Sequence, residues 1–341
     1  LESTSVKNYF FYFASLVLIV AGIKAAAEIV IILFLAIFIA SIISTFINFL
    51  EQKHIPKIIA YLFVLGGFVL LTILLGYVLN ISLKDFISNL PQYEKQLQAL
   101  VVKGVSFAET YGYEIDKNTI LDALNLNSFF GITTNLIGSI GTFLSKFLLI
   151  IIGIAFILAE AKSFEKKLKV IFDKDRKKLE HFKLFSSNIQ KYFSVKTATS
   201  FFTGFLVTIV LMYFDIEYPI LWGVIAMLFN FVPVVGSIIA AIPAILLSLV
   251  SGDLNTTLVL IVLYVCINVG ISNIIEPKFM GKELGLSPMV IFFSLILWGW
   301  VLGLVGMFLA VPITMTLKIA FDSDKSTKWL SILMSNIGNR K

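Results

Sequence analysis

Asn273-Ile-Ile-Glu276-Pro277-Lys-Phe-Met-Gly281-Lys-Glu-Leu-Gly285-Leu-Ser287-Pro288 is a polar island between two long apolar runs. Downstream, Met289 to Pro312 carries glycines at 299, 303 and 306 and no charge. Upstream, Ile220 to Pro243 is broken by Asn230-Phe-Val-Pro233 and Gly236. Paired apolar segments, each interrupted by Pro or Gly, point to a transport site, because broken helices bring backbone polar groups to a solute at membrane depth.

The composition places that pair in a bilayer. Hydrophobic residues make up 58%, charged residues 14%, and mean hydropathy is +0.96. Soluble domains are nearer half apolar and a quarter charged. Several apolar runs have no interior charge and exceed the roughly 18 residues that a span requires. The sequence therefore predicts an all-α polytopic membrane protein with six to eight crossings. The single Cys266 lies in an apolar run, which removes a disulfide framework or a cysteine-based metal site. His54 and His181 sit beside lysines in loops. No HExxH, GxSxG, phosphate-binding GxxxxGK[ST] or intramembrane aspartate pair occurs, so no catalytic residues, cofactor or metal are expected, nor ATP-driven transport by this chain alone.

Residues 1–83 read as an N-terminal scaffold of three spans, about 9–23, 28–50 and 58–83. Lys7, the apolar stretch from Tyr9 and Ala25-Ala26-Ala27 resemble a cleaved leader. The apolar sequence resumes at once from Ile29 to Leu50, however, so a tight turn near Gly22–Lys24 between two packed helices is expected instead. Residues 84–133, net −2, form an extracytoplasmic amphipathic helical insert: Tyr93, Leu97, Leu100, Val101, Gly104, Val105, Ala108 and Tyr111 recur at helical spacing. A second short helix is expected over 119–130. A fourth span covers 134–160. Residues 161–196, with eleven Lys/Arg against four acids, read as a basic cytoplasmic amphipathic helix on the anionic inner leaflet. The transport core is 197–320, and 321–341 is a cytoplasmic tail. Basic and acidic loops alternate, which places both ends of the chain inside. The charge of +6 is thus read as topology, with no nucleic-acid partner.

The broken segments, 220–250 and 289–320, are each about 46 Å long as helix, too long for one upright span and too short for two. Two arrangements fit: kinked tilted helices giving eight crossings, or re-entrant hairpins giving six and an inverted repeat. The separation of Pro219 from Pro243 equals that of Pro288 from Pro312, which suggests repetition. On the hairpin arrangement the tips near Asn230–Gly236 and Gly299–Gly306 meet substrate. Pro233 cannot donate, freeing a carbonyl near Phe229 for Asn230 or a solute hydroxyl. Asn268, Ser272, Asn273 and Glu276 are spaced to share one helical face. A charge such as Glu276 in the core marks an ion or substrate path. The expected substrate path is therefore Asn230, Pro233, Gly236, Asn268, Asn273, Glu276, Gly299, Gly303 and Gly306. Pro243, Pro277, Gly281, Gly285, Pro288 and Pro312 are expected as hinges.

Three blocks also carry a resemblance: Asn230-Phe-Val-Pro233-Val-Val-Gly236, Glu276-Pro277 with Gly281-Lys-Glu-Leu-Gly285-Leu-Ser287-Pro288, and Gly303-Leu-Val-Gly306-Met-Phe-Leu-Ala310-Val311-Pro312. Together they resemble the autoinducer-2 exporter family, the PerM-like permeases. The resemblance implies a bacterial inner-membrane transporter, a homo-oligomer and in particular a pentamer, with hairpins moving in an elevator-like way. It implies export of autoinducer-2 or, in some members, Na+(Li+)/H+ exchange. An antiporter wants buried carboxylates, and the broken segments contain none, which leaves Glu276 or Glu160. Amides and hydroxyls suit a small neutral polar solute better. A non-transporting membrane scaffold is the third reading.

Overall fold

The computed structural model describes residues 2–111, 146–172, 176–233, 235–251, 254–280, 286–323 and 326–336. The expected helix at 119–130, the start of the fourth span, and Gly281 and Gly285 lie outside them. The described chain is helical, with one isolated bridge between Leu286 and Ser335. In order it runs α1 (Glu2–Ala25), α2 (Ala27–Gln52), α3 (Lys57–Thr110), α4 (Phe147–Ile171), α5 (Arg176–Tyr213), α6 (Pro219–Phe229), α7 (Val235–Ser251) and α8 (Leu254–Val269). A π-turn (Gly270–Ile275) leads to α9 (Glu276–Met280), α10 (Pro288–Asp322) and α11 (Lys328–Met334). Among the described residues, five stretches are long and apolar enough by length and composition to cross a membrane: Ala27–Gln52, Lys57–Thr110, Ser186–Tyr213, Leu254–Phe279 and, counted end to end, Pro288–Asp322. The chain is an all-α polytopic membrane protein.

Several sequence boundaries separate compositions rather than helices. No break falls at 83/84, since α3 continues from its apolar half into the charged half for 54 residues, roughly 80 Å. The basic stretch 161–196 is divided between the end of α4 and the start of α5, which carries on into the fifth apolar run.

The contacts sort into two units. The first comprises Leu1–Asn48, Leu148–Val195 and Met280–Lys341. At its centre is α10, which is no straight rod. Ser294 and Thr314 would be about 30 Å apart along a continuous helix, yet the Thr314 hydroxyl donates to Ser294 Oγ at 2.8 Å. Ser294 in turn donates to the Ala310 carbonyl at 3.1 Å, and Trp298 Nε1 donates to Thr314 Oγ1 at 3.2 Å. The chain folds back at Gly303, whose φ of 66° and ψ of −150° belong to a region only glycine occupies readily. Ser287 caps the first arm by accepting from the Val290 amide, and Pro288 takes the first helical position, where no amide is missed. Val301, Leu302, Leu309 and Ile313 pack around the turn against Val20, Ile23, Val30 and Phe34 of α1 and α2. Lys24 lies 3.7 Å over the Trp300 ring. Toward the base of the arms, Val311 and Met315 pack with Tyr192, Phe193 and Leu286.

The second unit comprises Phe49–Phe147 and Lys196–Phe279. Here α6 and α7 pack against each other as a second helical hairpin that turns at Asn230–Pro233. Small residues let it approach α5: a Cβ on Gly204 would meet the Gly223 carbonyl at 2.5 Å, and one on Gly223 would meet Thr208 Oγ1 at 1.8 Å. The base of the hairpin is fastened to α3. Tyr93 donates to the Glu217 carboxylate, Tyr218 to Asp85 Oδ2 at 3.1 Å, and Asn89 to Tyr218 Oη at 3.0 Å. The buried Phe86 ring packs among Tyr93, Tyr218 and Trp222.

The two hairpins repeat one plan. Each begins with Pro at the first helical position (Pro219, Pro288) and carries a second Pro inside the returning arm, at the same separation in both (Pro243, Pro312). Both segments fold back on themselves as helical hairpins. Each turn is closed by a glycine pressed on a carbonyl of the opposite arm. A Cβ on Gly236 would stand 1.9 Å from the Phe229 oxygen, and one on Gly306 would stand 1.9 Å from the Trp298 oxygen.

Candidate functional site

The second unit places a polar line inside an apolar helix. Lys196, Thr199, Ser200 and Thr203 recur at i, i+3, i+4 and i+7, so they share one face of α5, and all four are buried. Two other elements reach that face. From the hairpin turn, Asn230, itself 3% exposed, donates through Nδ2 to Ser200 Oγ at 3.0 Å. From the start of α9, Glu276 Oε1 accepts from Lys196 Nζ at 2.6 Å and from the Thr199 hydroxyl at 2.9 Å. The side chains of the ion pair are 5% and 12% exposed. A charge-assisted bond at that distance offsets part of the cost of removing two charges from water.

Helix α5 also fixes where these groups lie along the fold. Moving from Tyr213 toward Lys196, Thr208 and Gly204 meet Gly223, then Ser200 meets Asn230, then Thr199 and Lys196 meet Glu276. Ser200 lies about 20 Å from Tyr213 along the helix axis. The hairpin turn therefore stands one helical turn from the ion pair. The turn itself satisfies its own backbone: the Val232 amide takes the Phe229 carbonyl at 2.9 Å, and Gly236 N donates to the Val232 carbonyl at 3.3 Å. The carbonyl expected for Asn230 is thus taken by the backbone, and the Asn230 amide turns to α5 instead.

The shared face expected for Asn268, Ser272, Asn273 and Glu276 is not formed. The π-turn over Gly270–Ile275 adds a residue to the helical repeat and rotates the residues downstream of it. Asn273 is exposed, whereas Glu276 is swung onto Lys196. Asn268 donates to the Tyr264 carbonyl at 2.9 Å. Its Oδ1, Tyr264 Oη and Thr197 Oγ1 are buried without a hydrogen-bond partner among the described residues.

The structure brings Asn230, Pro233 and Gly236 together at one turn, with Glu276 one helical turn along α5. Gly299, Gly303 and Gly306 gather at the other turn, in the first unit. A Cβ built on Gly299 would meet the Met307 side chain at 2.9 Å, and nothing lies within 4 Å of one built on Gly303. Pro243 and Pro312 are buried in the returning arms, and Pro277 and Pro288 are exposed. Glu160 pairs on the surface with Lys167 at 2.5 Å. Sequence reasoning missed Lys196, counting it with the basic stretch of 161–196. The hydroxyl-bearing residues at 199, 200 and 203 were the readable signal that this lysine opens a buried face.

Comparison with known proteins agrees in kind. The profile of the AI-2E family transporter matches residues 13–324. The chain is 30% identical over 322 residues to the AI-2 transport protein TqsA of Escherichia coli (strain K12), with 94% of each chain covered. It is 33% identical over 336 residues to a putative transport protein of Haemophilus influenzae, with 96% of each covered. It is 26% identical over 290 residues to the putative transport protein YueF of Bacillus subtilis (strain 168), with 80% of this chain and 78% of the relative covered.

Proposed function

The chain belongs to the AI-2E transporter family, and from that premise we propose a secondary permease of the bacterial inner membrane that exports a small polar organic solute, with autoinducer-2 as the first solute to test. The observation that carries this reading is the polar line on α5, met by Asn230 at a hairpin turn. Hydroxyls, an amide and a charged donor–acceptor pair ordered in an apolar helix are what a polar solute needs to shed its water. The relative TqsA is named as an AI-2 transport protein, which supports the choice of solute.

The arms support a re-entrant topology. Helix α6, at 11 residues, is about 16 Å long, and the first arm of α10, residues 288–302, about 22 Å; neither crosses a 30 Å core. Each hairpin then enters and leaves by one face, from opposite sides, giving six crossings. The working unit is a homo-oligomer, a pentamer by family resemblance, with hairpins carried in an elevator-like way and both chain ends cytoplasmic. From the basic stretch 161–196, the exposed Lys166, Lys167 and Lys169 of α4 meet the anionic inner leaflet. Cation exchange draws less support, since Glu160 lies at the surface and Glu276 already neutralises Lys196.

Cells expressing the protein should accumulate autoinducer-2 outside, and Asn230→Leu should abolish the excess; equal accumulation sinks the assignment. Single cysteines in 251–255 should label with membrane-impermeant maleimide from outside and those in 278–285 only from inside. The reverse pattern removes the re-entrant topology. Ser237→Cys should label from water, and a closed Ser237 would favour the scaffold reading.

A further inference from the structure

The ion pair contains a choice of which charge is fixed, and that choice decides what the path selects. Lys196 stands within α5, an uninterrupted α-helix of 38 residues, and is held among buried neighbours at 4% exposure. Glu276 begins a five-residue helix directly after the π-turn and is the more exposed partner, at 12%. Residues 273–275 beside it are exposed as well. Lys196 is held by regular helical backbone, whereas Glu276 follows a π-turn, an irregular element that recurs at functional sites. The lysine is therefore the fixed member and the carboxylate the exchangeable one. Were the carboxylate fixed, the site would invite a cation in place of the lysine. The observed asymmetry invites an anion in place of the glutamate.

Resting on the permease reading above, we propose that Lys196 is the charge-selecting residue of the path and takes a small hydroxylated carboxylate. The carboxylate of the solute replaces that of Glu276 on Lys196 Nζ. Its hydroxyls exchange bonds with the Thr199 and Ser200 hydroxyls and the Asn230 amide, which lie within one turn of the lysine on the same face. Glu276 turns back on the π-turn toward its exposed side. In the empty protein it serves as the counter-ion that keeps a buried ammonium tolerable.

Three six-carbon probes separate charge from shape: gluconate (anionic), sorbitol (neutral) and glucamine (cationic). Titration calorimetry on the full chain in detergent should give gluconate at least about tenfold tighter than sorbitol, the scale of one charge-assisted hydrogen bond. Lys196→Gln should erase that difference, and Glu276→Gln should tighten gluconate by freeing the lysine. The swapped pair Lys196→Glu/Glu276→Lys keeps a neutral buried pair, so it should fold, and it should prefer glucamine. Equal affinity for gluconate and sorbitol, no gluconate binding, or a swapped protein that still prefers gluconate overturns the assignment. The permease reading falls separately, on failure of Ser237→Cys to label from water.

Discussion

Glu276→Leu is expected to cost about 3–5 kcal/mol of stability, because it leaves the Lys196 ammonium buried without its counter-ion. The mirror change, Lys196→Met, should cost less, because the Glu276 carboxylate can turn toward its exposed side whereas the lysine cannot leave its helix. The double variant Lys196→Met/Glu276→Leu should regain most of the loss, since two apolar side chains need no desolvation and fill a similar volume. A double-mutant cycle read from chemical unfolding in detergent measures the coupling. If the double variant is as unstable as the sum of the singles, the pair is not a pair in the folded protein. The double variant should also fail in transport while folding well, which separates the role of the charges from their contribution to stability.

The second large effect concerns the two hairpin glycines. Gly236→Ala and Gly306→Ala should each cost about 2–4 kcal/mol, since the added methyl would stand 1.9 Å from a backbone carbonyl that cannot move aside as a side chain could. Gly303→Ala meets open space but must hold a φ of +66°, so a loss of about 1–3 kcal/mol is expected from backbone strain alone. Gly22→Ala and Gly67→Ala are the controls. Both positions are helical with nothing within 4 Å, so alanine should be neutral or stabilise by up to about 1 kcal/mol. Melting curves of the five variants in one detergent test the ordering. A Gly236→Ala protein that melts with Gly67→Ala would show that the hairpin arms do not approach so closely.

These glycines also mark how far the sequence could be read. Pro and Gly at matched spacing identified both broken segments, because backbone breakers act locally and leave a local record. That the breaks are reversals rather than kinks was not legible. It depends on Ser294 meeting Thr314 and on α6 packing against α7, contacts that no local pattern encodes. Asn230 could be singled out because an amide in an apolar run stands out, and it lies at the hairpin turn against Ser200. Lys196 was missed for the opposite reason: ten other basic residues precede it in 161–196, and only its burial sets it apart. Glu276 was singled out on a geometry that the structure does not have. Its presumed face with Asn268 and Asn273 assumed regular α-helical spacing, and the π-turn at Gly270–Ile275 breaks that count.

The fastening of α3 to the base of the α6–α7 hairpin has a mechanical consequence. Pro91 lies inside α3 and cannot bond the Ile87 carbonyl, so it is the place where so long a beam would bend. Asp85, Phe86 and Asn89 precede it, Tyr93 follows it, and all four grip the same Glu217–Trp222 segment. The contacts splint the weak point. Torque applied to the outer third of α3 is then delivered to the hairpin base instead of being lost in a flexing joint.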